Sequence, residues 1–430
     1  MKLADIIDTF ITGDWGEESP TQDTPNAAYC VRGADIVPIT NHNFTDIPQR
    51  YVCDRTKETK LLAAGDLVIE KSGGSPTQST GRIVYVSEDL IKAKGNVVCS
   101  NFCTAFRVKA GWNPLYVYYF WQNVYNHGAF FNFEGKTSGI KNLQLDNALS
   151  AIDIEYLPLE KQNQIVASLA SIDEKIKVNR QINDNLEAMA KQLYDYWFVQ
   201  FDFPNEEGKP YKSSGGAMVW NEKLKREIPT SFDVKSLSEI IEVKDGTHDS
   251  PKPQDNGYFL LTSKHLTERG LDYTSAYKIS KEDYESINKR SKVDTNDILF
   301  SMIGTIGNSY FVEETNINFA IKNMALFKTS AKRWFSEYLY LYLSSCDYKH
   351  YEGNSLSGSI QKFVSLRTLR DMPILYHEDI IKVFAKEVRN IITMMVNLRK
   401  ENIELTKQRD ELLPLLMNGQ ASVNYHLSAC

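Results

Sequence analysis

The chain contains two copies of one sequence unit, and this internal repeat limits the folds that the chain can adopt. The stretch at 138–166, which begins SGIKNLQLDN, recurs at 358–384 with its apolar positions in step. Two upstream stretches also recur: 3–8 (LADIID) matches 237–242, and 65–74 (GDLVIEKSGG) matches 296–305. A long helical pattern follows each copy, so the order is domain, helix, domain, helix. This pattern indicates duplication of a whole unit and not a solenoid of short repeats.

Each copy of the unit is typical of a mixed α/β domain. Runs rich in β-branched and aromatic residues, bounded by Gly and Asn, predict strands within 81–86, 96–108, 297–303 and 319–329. An aromatic-rich helix is predicted in each copy, at 113–124 and at 336–346. The aromatic residues recur at helical spacing, which favours a role in the core over base stacking.

The two helical segments carry an unbroken apolar repeat with alternating steps of four and three. Such a repeat is the signature of a two-helix seam. The first series is Ile165, Leu169, Ile172, Ile176, Asn179, Asn183, Leu186, Ala190, Leu193 and Trp197, and the second is Phe384, Val388, Ile391, Met395, Leu398, Asn402, Leu405, Arg409, Leu412 and Leu416. At 1.5 Å per residue each helix is roughly 50 Å long.

We expect these helices to pair with each other as a long antiparallel coiled coil, which separates the two globular domains with pseudo-two-fold symmetry. A centred register places Asn179 opposite Asn402, and polar residues in such a core fix register at a cost in stability. The same register places Ile165 opposite Leu416 and Trp197 opposite Phe384. In the alternative arrangement, each helix packs on its own globular domain.

The predicted fold class is therefore α/β (α+β) mixed, with two similar globular domains and a two-helix spacer. The Pro, Gly and Ser content of 201–227 is typical of a linker that lets the chain turn back. The predicted boundaries are a first domain at 1–156, a central spacer helix at 157–200, the linker at 201–227, a second domain at 228–376, a C-terminal spacer helix at 377–418 and a tail at 419–430.

Composition excludes few classes of protein. The formal net charge of the 430 residues is −6, so any surface that binds phosphates must be a local cluster of cations. The six cysteines include no CxxC pair, which argues against structural zinc and against a disulfide framework. No apolar run reaches the roughly 20 residues of a membrane span, and MKLADIIDTF lacks a signal-peptide pattern. We expect a cytoplasmic protein with no membrane partner.

Motifs of nucleotide chemistry are missing from the sequence. The stretch GGSPTQSTGR lacks the lysine and the spacing of a phosphate loop, and no G-x-G-x-x-G follows a predicted strand. The triplet Glu134-Gly135-Lys136 has the E-x-K form found in many nucleases, but no aspartate is placed to complete it. The seven histidines include no ligand pair at i, i+4. We therefore predict no catalytic residue, no metal site and no cofactor bound by this chain.

Three stretches resemble the specificity subunit of type I restriction–modification systems: LPLEKQNQIVASLASIDEKIKVNRQINDNLEAMAKQLYDYWF (157–198), EIPTSFDVKSLSEI (227–240) and TKQRDELLPLLMNGQ (406–420). The resemblance implies a non-catalytic reader of double-stranded DNA. Each globular domain would be a target recognition domain for one half of a bipartite site, and the helices would set the spacing between the halves. Half-sites read from one face of the duplex lie about one helical turn, roughly 34 Å, apart.

The resemblance also implies partners. Two methyltransferase (modification) subunits would dock on the helices, and restriction/translocase subunits would join the full complex. S-adenosylmethionine, ATP and Mg would be bound by those subunits. Restriction systems whose partner fuses methyltransferase and nuclease stay open as an alternative. A nuclease or methyltransferase in its own right and a protein–protein adaptor built on the coiled coil are two further alternatives.

The residues that contact DNA are predicted from chemistry, since polar Gly-rich loops approach phosphates and Arg, Lys, Asn and Gln read base edges. In the first domain we predict Lys71, Ser72, Thr77, Gln78, Arg82, Lys136, Thr137, Ser138 and Lys141. In the second we predict Thr247, His248, Lys252, Thr305, Asn308, Ser359, Gln361 and Lys362. We expect Lys141→Ala or Lys362→Ala to weaken DNA binding by the assembled complex.

Overall fold

The computed structural model describes residues 1–73, 78–137, 140–267, 270–304, 306–355 and 363–421, with only the backbone at 136, 137, 140 and 355. The described chain forms two compact units. Unit 1 comprises Met1–Val178 with Ile403–Cys430, and unit 2 comprises Asn179–Asn402. No helix within the described ranges is long and apolar enough to cross a membrane.

Unit 1 is a mixed α/β domain. Its strands are β1 (Ile7–Thr12), β2 (Asn26–Val31), β3 (Gln49–Val52), β4 (Leu67–Glu70), β5 (Ser72–Gly73), β6 (Ile83–Tyr85), β7 (Val97–Cys99), β8 (Cys103–Val108), β9 (Glu134–Thr137) and β10 (Ile140–Leu143). Its helices are α1 (Ile36–Thr40), α2 (Asp54–Thr59), α3 (Glu88–Lys94), α4 (Pro114–Asn126), α5 (Leu145–Ala151) and the start of α6 (Leu159–Tyr194). The strands form sheets ordered β1-β8-β4-β6, β3-β2-β7 and β5-β10-β9.

Unit 2 repeats this plan. Its strands are β11 (Met218–Asn221), β12 (Arg226–Pro229), β13 (Asp233–Ser236), β14 (Val243–Asp245), β15 (Tyr258–Thr262), β16 (Leu266–Thr267), β17 (Gly270–Leu271), β18 (Lys278–Ile279), β19 (Ile298–Ser301), β20 (Ser309–Phe311), β21 (Phe319–Lys322), β22 (Met324–Phe327) and β23 (Pro373–Tyr376). Its helices are α7 (Leu237–Ile240), α8 (Lys281–Ser291), α9 (Arg333–Tyr342), α10 (Cys346–Ser355), α11 (Leu366–Arg370) and α12 (Glu378–Met417), of which the last extends beyond the unit. Its larger sheets are ordered β14-β22-β19-β20 and β18-β15-β21.

The two units share one topology. In each, the four-stranded sheet is antiparallel, and the three-stranded sheet joins one parallel pair (β2 with β7, β15 with β21) to one antiparallel strand. Alternate residues of the central strands face opposite ways: Leu67 and Ile69 pack toward the helices, whereas Val68 packs toward the three-stranded sheet. The mixed α/β class predicted from the sequence is confirmed.

The paired aspartates of the repeat have the same role in both units. Asp66 is buried, accepts a hydrogen bond from the Ala63 backbone N–H at 2.8 Å and forms an ion pair with Arg107 at 2.8 Å. Asp297 is also buried and accepts from the Asp294 backbone N–H at 2.8 Å and from Lys328. A carboxylate buried beside a turn is stable only when it is paired in this way. The repeat in sequence is therefore a repeat in structure.

The aromatic helices α4 and α9 belong to the core, as predicted. Tyr116, Tyr119 and Trp121 of α4 are buried, and so are Phe335 and Tyr338 of α9. Their polar atoms are hydrogen-bonded: Trp121 Nε1 donates to the Gly81 carbonyl at 2.7 Å, and Tyr338 Oη donates to the Leu375 carbonyl at 2.8 Å. Burial raises the pKa of Tyr116 to about 12.

The long helices α6 and α12 run antiparallel, as their contacts within each unit establish. In unit 2, Asn179 Nδ2 donates to Asn402 Oδ1 at 3.1 Å, and the rings of Trp197 and Phe384 lie 5.4 Å apart. In unit 1, Ile165, Leu169 and Leu416 share one apolar core. These are the partners that a centred register predicts.

Most seam positions of the two series are buried: Ile165, Leu169, Ile176, Asn179, Leu186, Ala190, Trp197, Phe384, Val388, Met395 and Leu416. Ile172, Asn183, Leu193, Ile391, Leu398, Asn402, Leu405 and Arg409 are half-buried. The prediction that Leu412 is a seam position is wrong, because Leu412 is exposed while the adjacent Leu413 is buried. Leu413 and Leu416 are three positions apart, so the last turns keep the predicted apolar face with the order of one three-residue and one four-residue step exchanged.

The segment at 201–227 also differs from the linker that its composition predicts. Phe201 and Phe203 are buried in the core of unit 2, and residues Met218–Asn221 pair with Arg226–Pro229 in a hairpin. The ring of Phe203 stacks on Tyr211 at 4.8 Å. Aromatic anchors therefore hold this Gly- and Ser-rich stretch against the unit.

Candidate nucleic-acid interface

In unit 1 those predicted DNA-contacting residues that the structure describes gather around the small sheet β5-β10-β9. Residues Ser72–Gly73 pair with 141–142, and β10 pairs with β9 in a hairpin. The Ser72 hydroxyl donates to Asn142 Oδ1 at 2.5 Å, and the Lys71 backbone N–H donates to the Phe102 carbonyl at 2.8 Å. The loop after β4 and the β9–β10 hairpin therefore lie side by side.

Glu134 ties this loop to the hairpin. Its Oε1 accepts from the Thr80 backbone N–H at 2.6 Å, and its Oε2 lies 3.3 Å from Lys141 Nζ. Lys141 also donates to the Gln78 carbonyl at 3.0 Å and lies 5.0 Å from the centre of the Phe131 ring. The side chains of Lys141 and Glu134 are only 10% and 4% exposed. This placement gives Lys141 a structural role and does not support the expectation that it offers a cation to phosphate.

The same geometry accounts for the E-x-K triplet. Both carboxylate oxygens of Glu134 are engaged inside the fold, so the residue serves as a buried tie and not as a solvent-facing ligand. In the described ranges no group of three or more His, Cys, Asp or Glu side chains is arranged to hold a metal ion.

Arg82 has a second structural ion pair. Its Nε and Nη2 donate to the two carboxylate oxygens of Glu70 at 2.8 and 2.7 Å, and Nη2 also donates to the Gly33 carbonyl at 2.9 Å. Glu70 is buried, and its hydrogen bonds raise the pKa of Arg82 above its ordinary value. A bidentate pair of this kind fixes the guanidinium in place. Arg82 therefore supports the loop. Its Nε and Nη2 donate inside the fold, which does not support the expectation that they contact DNA.

Lys71, Ser72 and Gln78 are the predicted residues that face outward in unit 1. Gln78 is exposed, and Lys71 and Ser72 are half-buried. Lys71 lines the wall of a cleft together with Phe10, Thr12 and Asp146. Within the part of the chain that the structure describes, Lys71 makes no ion pair. Lys71 and Gln78 can donate to phosphates or to base edges, whereas Ser72 can only accept because its hydroxyl proton is given to Asn142.

In unit 2 the predicted residues lie on the loop after β14. The His248 side chain is 64% exposed and is held on both sides: Nδ1 lies 2.8 Å from Asn323 Oδ1, and Nε2 lies 3.0 Å from Asp245 Oδ2. Asp245 also pairs with Arg290. The Thr247 backbone N–H donates to the Ile321 carbonyl at 3.0 Å. His248 is therefore presented to solvent in a fixed orientation.

The other predicted residues of unit 2 are placed nearby or are not described. Lys252 is exposed. Asn308 is half-buried, and its Nδ2 donates to the Leu266 carbonyl at 3.0 Å. Six predicted residues lie outside the described ranges: Thr77, Ser138, Thr305, Ser359, Gln361 and Lys362. Lys136 and Thr137 are described only as backbone of β9.

Sequence reasoning missed Asn323, which orients His248. Asn323 has a φ of +53°, in the left-handed region where Asn is one of the better-tolerated residues. Lys322, one position earlier, donates to the Ser250 hydroxyl on the same loop. The available signal was an Asn inside the single predicted β run at 319–329, in FAIKNMALF, because an Asn there can mark a tight turn.

Comparison with known proteins finds a matching family model for the first part of the chain. Residues 3–188 match the Type I restriction modification DNA specificity domain. The resemblance to specificity subunits stated from the sequence is confirmed.

Two curated relatives of this specificity domain carry matching names. The type I restriction enzyme MjaIX specificity subunit of Methanocaldococcus jannaschii is 26% identical over 292 residues, which cover 64% of this chain and 62% of that protein. The type I restriction enzyme HindI specificity subunit of Haemophilus influenzae is 22% identical over 329 residues, 64% of this chain and 70% of that protein. The match thus spans less than two thirds of the first relative.

A solved structure extends the likeness of fold beyond the specificity domain. The crystal structure of a type I restriction–modification system S subunit from M. genitalium covers 97% of this chain, and the match covers 95% of that protein. The TM-score is 0.53 at 14% identity. At this identity the likeness concerns the fold: two similar domains with long helices.

Proposed function

We propose that the chain is the non-catalytic DNA-recognition subunit of a type I restriction–modification system. The observation that carries the proposal is the duplication: two units share one strand order, and the first carries a matched specificity domain. Two readers in one chain suit a target of two half-sites. Each half can then be weak, because the second contact is intramolecular once the first has formed.

In this proposal each unit reads one half of a bipartite target in double-stranded DNA. Unit 1 uses Lys71, Gln78 and the acceptor oxygen of Ser72, and unit 2 uses Lys252 and the exposed ring of His248, whose placement at the surface supports the assignment. Arg82, Lys141 and Asn323 position these side chains from within. The helices α6 and α12 set the distance between half-sites and dock two methyltransferase subunits.

The chemistry of the system then belongs to the partners. Methyltransferase subunits would supply S-adenosylmethionine, and restriction/translocase subunits would supply ATP and Mg²⁺ sites. The complex would act on DNA in the cytoplasm. Systems with a fused methyltransferase–nuclease partner would use the same reader, so the partner's gene and not this fold distinguishes them.

The proposal is tested by a methylome. The chain is expressed with its cognate methyltransferase subunit in a host that lacks both, and modified bases are read by long-read sequencing. We expect one new motif made of two short half-sites around a fixed unspecified gap. With the partner's methyltransferase activity established separately, no new modification would exclude the reader role, and a gapless motif would exclude the two-unit arrangement.

The assignment of Lys71 is tested on the assembled complex. Lys71→Ala should weaken binding across sequences and lower the salt slope of log K by about one. Lys92→Ala on α3, an exposed lysine paired with Glu88, is the matched control and should change neither quantity. Equal slopes for both variants would remove Lys71 from the interface. Lys362→Ala stays a prediction of the same form for a residue outside the described ranges.

A further inference from the structure

The turn between β7 and β8 of unit 1 displays an aromatic ring to solvent. The side chain of Phe102 is 58% exposed, the largest exposed fraction among the phenylalanines of the described residues. Its backbone is held firmly: the Phe102 carbonyl accepts from the N–H groups of Lys71 at 2.8 Å and Ser72 at 3.1 Å. The ring therefore projects from a rigid turn that is hydrogen-bonded to the candidate interface itself.

Two clefts flank this turn. The first, of about 450 Å³, is lined by Lys71, Thr104 and Phe10, and the Phe10 side chain is 47% exposed. The second, of about 440 Å³, is lined by Trp15, Cys53 and Asn101. Since Asn101 and Thr104 lie on either side of Phe102 in the chain, the turn separates the clefts.

The chemistry of this surface suits bases better than phosphates at the second cleft. Asp14 and Glu17 line it, and their carboxylates repel phosphate but can accept from exocyclic amines of bases. The first cleft adds the cation of Lys71. DNA-bending proteins insert apolar side chains such as Phe between base steps as wedges, and Phe102 is an exposed side chain of this kind beside the candidate interface.

The corresponding turn of unit 2 is built differently. One residue, Asn323, lies between β21 and β22 there; it is polar, and its Oδ1 lies 2.8 Å from His248 Nδ1. A wedge is therefore available at this turn in unit 1 and not at its counterpart in unit 2, although the two units share a strand order. The two units therefore share a topology but present different turn residues. This difference lets each unit contact its half-site in a different way.

We infer that Phe102 inserts between two adjacent base pairs of the half-site read by unit 1, which unstacks that step and bends the duplex. The inference rests on the proposed function and adds a specificity-determining residue to it. Pyrimidine–purine steps unstack most easily, so unit 1 would favour such a step where Phe102 enters without contacting a base edge. Unit 2 would leave its half-site stacked.

The test uses the complex of this chain with its methyltransferase subunit and duplexes that contain the methylome-derived motif. The fluorescent base 2-aminopurine is placed at successive positions of both half-sites, because its emission rises when stacking is lost. Methyltransferases flip their target base out of the stack, so the methylated positions are left unsubstituted. At the other positions we expect enhancement at one step of one half-site. Phe102→Ala should abolish it and lower affinity about tenfold, in line with other aromatic–base contacts. Phe102→Leu, which keeps an apolar side chain, should retain part of both.

The matched control is Val37→Ala on α1, which truncates an apolar side chain of unit 1 that is 47% exposed and lines neither cleft. It should behave as the wild type, and a thermal melt of each variant checks folding. If the motif duplex binds specifically but no position responds, or Phe102→Ala binds as tightly as Val37→Ala, the wedge is excluded while the reader role stands. If no duplex binds specifically, the proposed function fails first.

Discussion

At the scale of single residues, lysines that look alike in sequence have opposite roles in the structure. Lys71 and Lys141 both lie in polar stretches beside Gly and Ser, and chemistry alone assigns both to DNA. The fold buries Lys141 against Glu134 and leaves Lys71 at a cleft wall. The difference arises from which strand the hairpin pairs with, and that pairing is a tertiary contact between residues about 70 positions apart.

This burial predicts the effect of removing Lys141. Lys141→Met leaves the buried Glu134 carboxylate without its cation, which typically costs about 3–5 kcal/mol, and urea denaturation at pH 7 would measure the loss. The double variant Lys141→Met/Glu134→Gln removes the orphaned charge and should recover most of it. If Lys141→Met kept full stability but lost DNA affinity, the original assignment of Lys141 to DNA would be correct instead.

Thiol reactivity gives a second prediction at this scale. Burial raises the pKa of Cys30 to about 12 and that of Cys103 to about 11, whereas the hydrogen bond with Thr56 lowers the pKa of Cys53 below its ordinary value of 9.0. The thiolate is the reactive form, so at pH 8 iodoacetamide should label Cys53 faster than an ordinary cysteine. Peptide mass spectrometry should find Cys30 and Cys103 unlabelled in the folded protein.

The control for thiol labelling is Cys53→Ser, which should remove the fast phase and leave labelling of the exposed Cys346 unchanged. The pH dependence has a definite sign: labelling of Cys53 should reach half its maximal rate below pH 9. Labelling of Cys30 at a comparable rate would contradict the burial on which its raised pKa depends.

At the scale of elements, the helical seam was the most legible part of the sequence. A period of 3.5 residues specified which face of α6 and α12 is buried, and the antiparallel partners follow once the two helices are centred. The period could not decide between Leu412 and Leu413, because the two are adjacent leucines at the edge of the same apolar face. The hairpin at 218–229 was not predicted, because the Gly and Ser content of this segment is typical of a linker. The phenylalanines on either side of the hairpin were therefore not assigned to the core.

The polar position in the seam carries a prediction of its own. Asn179 is fully buried in unit 2 and donates to Glu401 at 2.7 Å and Asn402 at 3.1 Å. Asn179→Leu removes the donor that serves the exposed Glu401 and the half-buried Asn402, and the lost hydrogen bonds should lower the free energy of unfolding by about 1 kcal/mol. Met189→Leu, an exposed position on the same helix, is the control and should stay within about 0.5 kcal/mol of the wild type.

Replacing both asparagines should separate stability from register. Asn179→Leu/Asn402→Leu should regain stability through apolar packing but lose the specified alignment. Spin labels at Gln181 and Lys400 would then show a broadened distance distribution compared with the wild type. A distribution as narrow as the wild type's would mean that the apolar positions alone set the register.

At the scale of the whole molecule, the proposed function makes helix length a measure of the DNA target. Insertion of one heptad into each helix, by duplicating 176–182 and 395–401, adds about 10.5 Å. We expect the gap of the methylated motif to grow by about three base pairs at 3.4 Å each, with both half-sites unchanged. Insertion into α6 alone breaks the pairing of the seams and should abolish methylation. An unchanged gap in the double insertion would show that the helices do not set the spacing.

The sequence by itself determined the duplication, the α/β class and the helical seam, because each is written as a local period or as matched segments. Only the tertiary structure decided which polar residues face outward. Arg82 and Lys141 form ion pairs inside the fold. His248 is held in place by Asp245 and Asn323. The physical reason is that the ion-pair partner of a charged side chain decides whether the side chain is buried in the fold or free to bind DNA. These partners lie on other strands. Composition and spacing carry no record of those contacts.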